Sequence, residues 1–566
     1  MSEMYKKISE ERKDLQLQGL VPDWMSTAGY QLFKEKYEYD VEGTSFKGQA
    51  TRIARTAAKH TPDPSYWEPK FFELIFKGWL SCSTPVLANM GTNRGLPVSC
   101  SGQYIDDSIY GFYSNLLETS VLTKNGFGTS GYLGDIRPRG TPISVGGKAS
   151  GVVPVFKTYI QSMRDVAQGT ARRGAWAGYI GIDHDDFDEL VDYLNSHPDD
   201  ANVGWNISDE FIQRLNSGDA DAVRRYQKAM KFKMITGKGY FFFPDKVNRN
   251  KPESYKKNNL NVKSSNLCTE ITLHQDDDHT YTCVLSSMNL SYYDDWKDTD
   301  AIFTATVFLD CVASEFISKA KHIKALEKAV RFTEKGRALG LGVCGFHTYL
   351  QKKNLAFESL EAMFFNNNYF KEMKEKSLAA SEWMAKNWGE PEWCKGTGVR
   401  NTHRMAIAPT MSTALIMGGC SQGIEPMIGN AFIQSSAGGE TERVNPVFLE
   451  LMKSRGKYTK KAVRDIAENY GSVQNVDWLS EHEKLVFRTA FEINQEVILR
   501  LAAQRQKHID QAQSLNLFFS AEETEEYISY IHRLAFENEM IHSLYYVRTQ
   551  VGIAGASDKN ECIACQ

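Results

Sequence analysis

Asn266-Leu267-Cys268-Thr269-Glu270 is the stretch that most limits what this chain can fold into. If the stretch is extended, alternation places Asn266, Cys268 and Glu270 on one side. That side then carries an amide, a thiol and a carboxylate, where a bland buried strand would carry Val or Ile. Burying an amide and a carboxylate without partners is costly, so a fold that encloses them must supply a ligand or a network. A cysteine is most often a small buried hydrophobe. Next to a carboxylate it becomes a candidate radical carrier or nucleophile with a base at hand. Cys283 follows a little further on, and the chain ends in the dithiol Cys562-Ile563-Ala564-Cys565-Gln566. Just before that tail stand Tyr545-Tyr546, adjacent redox-capable phenols. Together these groups point to radical chemistry that consumes two electrons per turnover.

Composition narrows the setting. A chain of 566 residues holds several domains or one large decorated one. A formal net charge of -4 gives no basic footprint, so nucleic-acid binding through phosphate neutralisation is not expected, although mononucleotides need only local donors. There is no apolar run of about 18 residues to span a membrane. The segment Met1 to Gly19 is charged and has no apolar signal core. Ten cysteines without a secretory signal fit a reducing, cytoplasmic setting.

Residues 1–80 read as a short helical region, with Trp67, Phe71, Phe72, Ile75 and Phe76 at helical spacing before Ser83-Thr84-Pro85. Residues 81–180 are rich in Gly and Ser. From Ser108 a helix is expected, with Ile109, Phe112, Tyr113, Leu116, Leu117 and Val121 on its apolar positions and Asp107 as its cap. Helical and strand periods then alternate to about residue 550, which predicts an α/β architecture. Ser520-Ala521-Glu522-Glu523 reads as a capping box for a helix through Tyr527, Ile528, Ile531, Leu534 and Ala535. Residues 551–566 have no apolar face and are expected to be a flexible tail.

With Ser99-Cys100, the pentapeptide at 266–270, Cys283, Pro409-Thr410-Met411-Ser412-Thr413, Tyr545-Tyr546 and the terminal cysteines in this order, the chain resembles the large, catalytic subunit of class I ribonucleotide reductase. The resemblance implies a ten-stranded α/β barrel around a central finger loop, occupying residues 81–550. It implies reduction of ribonucleoside diphosphates by a thiyl radical on Cys268, with Glu270 taking the 3′-hydroxyl proton and Asn266 holding the 2′-hydroxyl. Cys100 and Cys283 would be the reducing pair, Tyr545 and Tyr546 the radical relay, and Cys562 and Cys565 a shuttle restored by thioredoxin or glutaredoxin. A hairpin centred on Asp276-Asp277 would instead set Cys283 opposite Cys268; the choice between the two arrangements comes from the resemblance.

Further roles follow from the same resemblance. Pro409, Thr410, Met411, Ser412 and Thr413 match a substrate diphosphate loop, of a kind that binds anions through hydroxyls and helix-start amides. Met411 stands where relatives often have Glu or Gly. Thr84, Ser99, Gly126, Leu267 and Thr269 match other substrate contacts. Asp107 and Arg137 match an effector site for deoxynucleotides or ATP, and Arg172 the loop that reports effector identity. A second copy of the chain is an expected partner. The region before Cys82 is too short for the ATP cone of many relatives, so overall activity control through such a cone is not expected.

Competing readings are set aside on the residues. Gly126-Phe127-Gly128-Thr129-Ser130-Gly131 spells GxGxxG, but no clear strand precedes it and no acidic residue follows at the dinucleotide-binding distance. Structural zinc needs four ligands and no second CxxC exists. A di-iron bundle needs two Glu-x-x-His pairs, and Glu539/His542 is the one present. No metal is therefore expected on this chain, and the radical would come from a separate metal-containing small subunit. The alternatives are an adenosylcobalamin-dependent reductase, which has no need of the tyrosine pair, and a catalytically inactive nucleotide-binding regulator, which has no use for the terminal dithiol.

Overall fold

The computed structural model describes residues 3–39, 43, 45–168, 172–200, 202–436 and 439–550. The chain starts with helices Glu3–Leu17, Thr27–Lys36, Phe46–Ala58 and Pro64–Phe76, so the helical opening read from the sequence is present. The last begins as its residues dictate: Asp63 accepts a hydrogen bond from the Tyr66 amide at 3.1 Å, and Pro64 supplies a preset φ where no N–H is needed. Trp67, Phe71, Leu74 and Ile75 are buried against the helix 46–58, whose Phe46, Ala50, Ile53, Ala54 and Ala57 form one apolar stripe.

Eight strands are central to the site. They are β1 (Leu80–Cys82), β2 (Cys100–Tyr104), β3 (Gly128–Tyr132), β4 (Trp176–Gly181), β5 (Val203–Asn206), β6 (Tyr240–Phe242), β7 (Tyr281–Asn289) and β8 (Leu339–Cys344). A ninth, β9 (Ser543–Leu544), completes the sheet, whose order is β1-β7-β2-β3-β4-β5-β6-β9 with β8 also on β7. β2 through β6 run parallel, joined by helical crossovers, whereas β7 is antiparallel to β2 and β9 antiparallel to β6. β7 is buried along its whole length, as expected of a strand covered on both faces.

Beyond β8 the pairing continues through single bridges, Leu341 to Met405 and Ile407 to Gln513. The Tyr545 amide then donates to the Leu515 carbonyl at 2.8 Å, next to β9. These links bend the sheet round towards its other edge. The barrel architecture is thus present, but the main sheet has nine strands among the described residues, and the expected count of ten is not met as full strands.

The helix Ala301–Ala320 has the length and mean composition to cross a membrane, although Asp310, Glu315 and Lys319 interrupt it so that no continuous apolar run is present. It is mostly buried within the protein, packed on β7 and β8 and on helices 46–58, 64–76 and 360–388. Its Asp310 accepts hydrogen bonds from Arg337 and Arg400, so it is a core helix with an internal ion cluster.

Two helix starts differ from expectation. Helix Ile109–Lys124 is capped by Ser108, whose hydroxyl accepts from the Gly111 amide at 2.9 Å, while the Asp107 carboxylate is engaged by Arg137. Helix Glu525–Glu537 is capped by Thr524, not by Ser520, because the residues from Ser520 to Glu523 form a turn outside it. A true capping box occurs at Ser480 and Glu483.

Candidate functional site

Residues 266–270 are not a strand. Thr269 has φ +69°, a left-handed conformation that disfavours β-branched residues, and the Asn266 side chain accepts from the Ile271 amide at 3.2 Å. The stretch is therefore a folded loop, and the alternating face predicted for it does not exist. The barrel wall holds this loop from several sides. Ser130 on β3 donates to the Ser265 carbonyl at 2.8 Å and Tyr179 on β4 to the Asn266 carbonyl at 2.6 Å. Ser543 on β9 donates to the Thr269 carbonyl at 3.0 Å, and the Ala512 amide to that of Glu270 at 2.9 Å. Donors from such distant parts of the sequence fix the strained turn.

The loop carries Cys268 and sets Asn266 against one of two further thiols, Cys100 and Cys283. Cys100 on β2 lies directly opposite Cys283 on β7 in the antiparallel register. The hairpin arrangement pairing Cys283 with Cys268 is absent. Asn266 Nδ2 donates to Cys100 Sγ at 3.3 Å, and Gln511 Nε2 to Cys283 Sγ at 3.2 Å. Burial pushes the Cys283 thiol well above its ordinary range, so it stays protonated at neutral pH. Burial likewise raises Glu270 from 4.5 to about 7, with its own backbone and the Asn266 amide offsetting only part of the effect. The Ser83, Ser99 and Thr269 hydroxyls and both Glu270 carboxylate oxygens are buried without a well-formed hydrogen bond. Native interiors rarely tolerate so many orphans, unless a polar ligand completes them.

Phenols connect this centre outward. Tyr545 Oη donates to Cys268 Sγ at 3.7 Å, and the Tyr545 and Tyr546 rings are 3.9 Å apart between centroids. Tyr545 is buried and Tyr546 half-buried, so the pair leads from the thiol towards the surface. Tyr240 packs on both rings, at 4.7 and 5.6 Å. The ammonium of the buried Lys233 donates to the Tyr545 carbonyl at 2.5 Å, and burial lowers its pKa to about 7. Sequence reasoning missed Tyr240, Lys233 and Gln511. Tyr240 opens an aromatic run that reads as an ordinary buried strand, and nothing local links Gln511 to a cysteine 228 residues away.

The remaining assignments are distributed around this centre. Thr410 has φ +53° and its hydroxyl accepts from the Gly423 amide at 2.7 Å, which braces Pro409 and the start of helix Met411–Ile416. Met411 and Ser412 are half-buried and Thr413 is buried. Thr84 shares a hydrogen bond with Tyr37 at 3.0 Å, and Gly126 has φ +104°, which favours glycine. Asp107 and Arg137 form a partly exposed ion pair at 2.5 Å. Arg172 lies in the two-residue strand Arg172–Arg173, but its side chain lies outside the described residues, as do Cys562 and Cys565.

Comparison with known proteins gives the family. The family described as "Ribonucleotide reductase, barrel domain" matches residues 98–225, 219–396 and 388–547, and "Ribonucleotide reductase, all-alpha domain" matches residues 24–95. The chain belongs to the ribonucleotide reductase large-chain family. Among similar proteins is a putative ribonucleoside-diphosphate reductase large subunit of Frog virus 3 (isolate Goorha), 34% identical over 88% of this chain and 92% of its own length. A vitamin B12-dependent ribonucleoside-diphosphate reductase of Thermoplasma acidophilum is 31% identical over 80% of this chain and 61% of its own. Among solved structures, the class Id ribonucleotide reductase alpha subunit of Actinobacillus ureae is 38% identical, covers 94% of this chain and 98% of its own, and superposes with a TM-score of 0.85.

Proposed function

We propose that this chain is the catalytic subunit of a class I enzyme that reduces ribonucleoside diphosphates to 2′-deoxyribonucleoside diphosphates, with its radical supplied by a separate small subunit. The observation that carries the class is the contact from Tyr545 to Cys268, continued by Tyr546 towards the surface. In the proposed reaction Cys268, as a thiyl radical, removes the 3′ hydrogen while Glu270 accepts the 3′-hydroxyl proton. Loss of the 2′-hydroxyl as water takes its proton from the Cys100/Cys283 pair. The pair gives up two electrons and its second hydrogen, which goes to C2′, and closes to a disulfide; Glu270 returns its proton to the 3′ oxygen and Cys268 its hydrogen to C3′. Asn266 would hold the 2′-hydroxyl beside that proton donor, a role supported by its hydrogen bond to the Cys100 sulfur.

The finer assignments belong to the same proposal. Ser99, Thr84, Gly126, Leu267, Thr269 and the segment 409–413 receive the substrate. Asp107 and Arg137 bind a deoxynucleotide or ATP effector, and Arg172 lies on the loop that conveys its identity. Cys562 and Cys565 reduce the internal disulfide and are themselves restored by thioredoxin or glutaredoxin. Domain limits at about residues 80 and 550, and a cytoplasmic setting, complete the reading. A second copy of the chain is supported by helix 109–124, which leaves Ile109, Tyr110, Tyr113 and Leu117 exposed by 59 to 83% on adjoining turns.

The test is CDP reduction with and without candidate small subunits, using wild type and Tyr545→Phe. Phe keeps the ring but has no hydroxyl proton to release with the electron, so the variant should bind nucleotides yet form no deoxynucleotide. Turnover with adenosylcobalamin alone, indifferent to Tyr545→Phe, would favour the B12-dependent reading.

A further inference from the structure

Between the central loop and β7 the chain makes a tight excursion, His274 to His279, that no role above uses. His274 Nε2 stands 2.9 Å from one Asp276 carboxylate oxygen, and His279 Nδ1 stands 2.8 Å from the other. The three candidate ligand atoms all lie within 4.8 Å of one another. The imidazoles are 11 and 12% exposed, covered in part by Trp393, while Asp276 is 42% exposed and opens the cluster to solvent.

The hydrogen bonds of His274 set this cluster apart from an ordinary exposed polar patch. His274 Nδ1 lies 2.7 Å from the Asn261 carbonyl, which can only accept, so Nδ1 carries a hydrogen. In a neutral ring Nε2 is then a bare lone pair, and it faces a carboxylate, which also only accepts. Either this ring is an imidazolium or a cation lies between the two groups. A backbone carbonyl that fixes one nitrogen of a histidine, as Asn261 does for His274, is a common support of a metal-ligating ring. The two rings face different oxygens of the Asp276 carboxylate, and the three ligand atoms, all within 4.8 Å of one another, are close enough for one ion to draw them together. Asp277 and Asp278 follow on the exposed side of the excursion, with Arg331 3.6 Å from the Asp278 carboxylate.

We propose that His274, Asp276 and His279 form a facial two-nitrogen, one-oxygen site for a single divalent transition metal ion of the zinc or cobalt type. Its remaining positions are open to solvent. The ion would pin the limb that returns from the central loop to β7, four residues before Cys283. The His274 amide already donates to Tyr255 Oη at 3.0 Å, so this limb is anchored on the protein side and the ion would fasten its outer side. The site is independent of any metal of the small subunit.

The experiment uses the full chain carrying Cys562→Ser and Cys565→Ser, so that tail thiols do not compete. Titration with Co(II) should saturate at one equivalent, give ligand-field bands without thiolate charge transfer, and be reversed by Zn(II). The thermal midpoint should rise with Zn(II) concentration by mass action. Adding Asp276→Asn or His279→Gln should abolish that equivalent. On the chain with these ligands intact, the Co(II) form should show two hyperfine-shifted imidazole N–H resonances, a readout that does not depend on either ligand variant folding. Absence of saturable binding, unchanged binding in both folded ligand variants, or fewer than two such resonances would overturn the site and leave a protonated His274–Asp276 ion pair.

Discussion

Glu270 concentrates the chemistry of the site in one residue. Its carboxyl is fully buried and titrates near pH 7, so around neutrality it is divided between a form that can accept a proton and one that cannot. With Glu270 as base, kcat/KM for CDP should rise with pH through about 7. Stability should move the other way. Between pH 4.5 and about 7 the folded state holds a proton that the unfolded state has released, so folding loses stability as pH rises across that window. The loss is on the order of 3 kcal/mol. Glu270→Gln removes both effects, so the variant should be inactive, and its melting advantage over wild type should be small at pH 4.5 and grow to a plateau above pH 7. An advantage independent of pH would mean that Glu270 is not the raised group. The neighbouring Thr269 bears the strain of the same turn, at φ +69°.

At the scale of elements, helix 109–124 shows what periodicity reveals and what it leaves out. The apolar spacing correctly announced a helix, yet it merged two faces into one. Phe112, Leu116 and Val121 pack towards the core, whereas Ile109, Tyr113 and Leu117 point to solvent. If that second face seats another copy, Tyr113→Glu with Leu117→Glu should leave the monomer folded but shift effector-driven dimers to monomers in sedimentation. Effector-induced dimers of unchanged affinity would remove this helix from the interface. The same limit explains the misplaced caps. Asp107 and Ser108 are both good caps locally, and Arg137, thirty residues on, decides between them by engaging Asp107. The central loop is the strongest case. Its residue types revealed a chemical site, but its shape depends on donors from Ser130, Tyr179, Ala512 and Ser543, which no local pattern connects. The order of motifs supplied what periodicity could not, including the partnership of Cys100 with Cys283.

For the whole molecule, the proposal makes the barrel a closed vessel and the terminal dithiol its supply line. Cys562→Ser with Cys565→Ser should therefore allow one deoxynucleotide per active site and then stop under thioredoxin. Dithiothreitol should restore part of the turnover, because it is small enough to enter. Sustained thioredoxin-driven turnover by the double variant would show that electrons reach the barrel by another path.

Under the proposed function, the register of β2 and β7 gives a reason for such a supply line. Cys100 and Cys283 face each other across adjacent antiparallel strands. Opposed residues in such a pair have Cα atoms about 4.5–5.5 Å apart, inside the range a disulfide spans without backbone movement. The wall can thus change oxidation state while keeping its shape. An enzyme that looks the same from outside whether spent or recharged cannot advertise its condition to a passing reductant. Something must go in and ask.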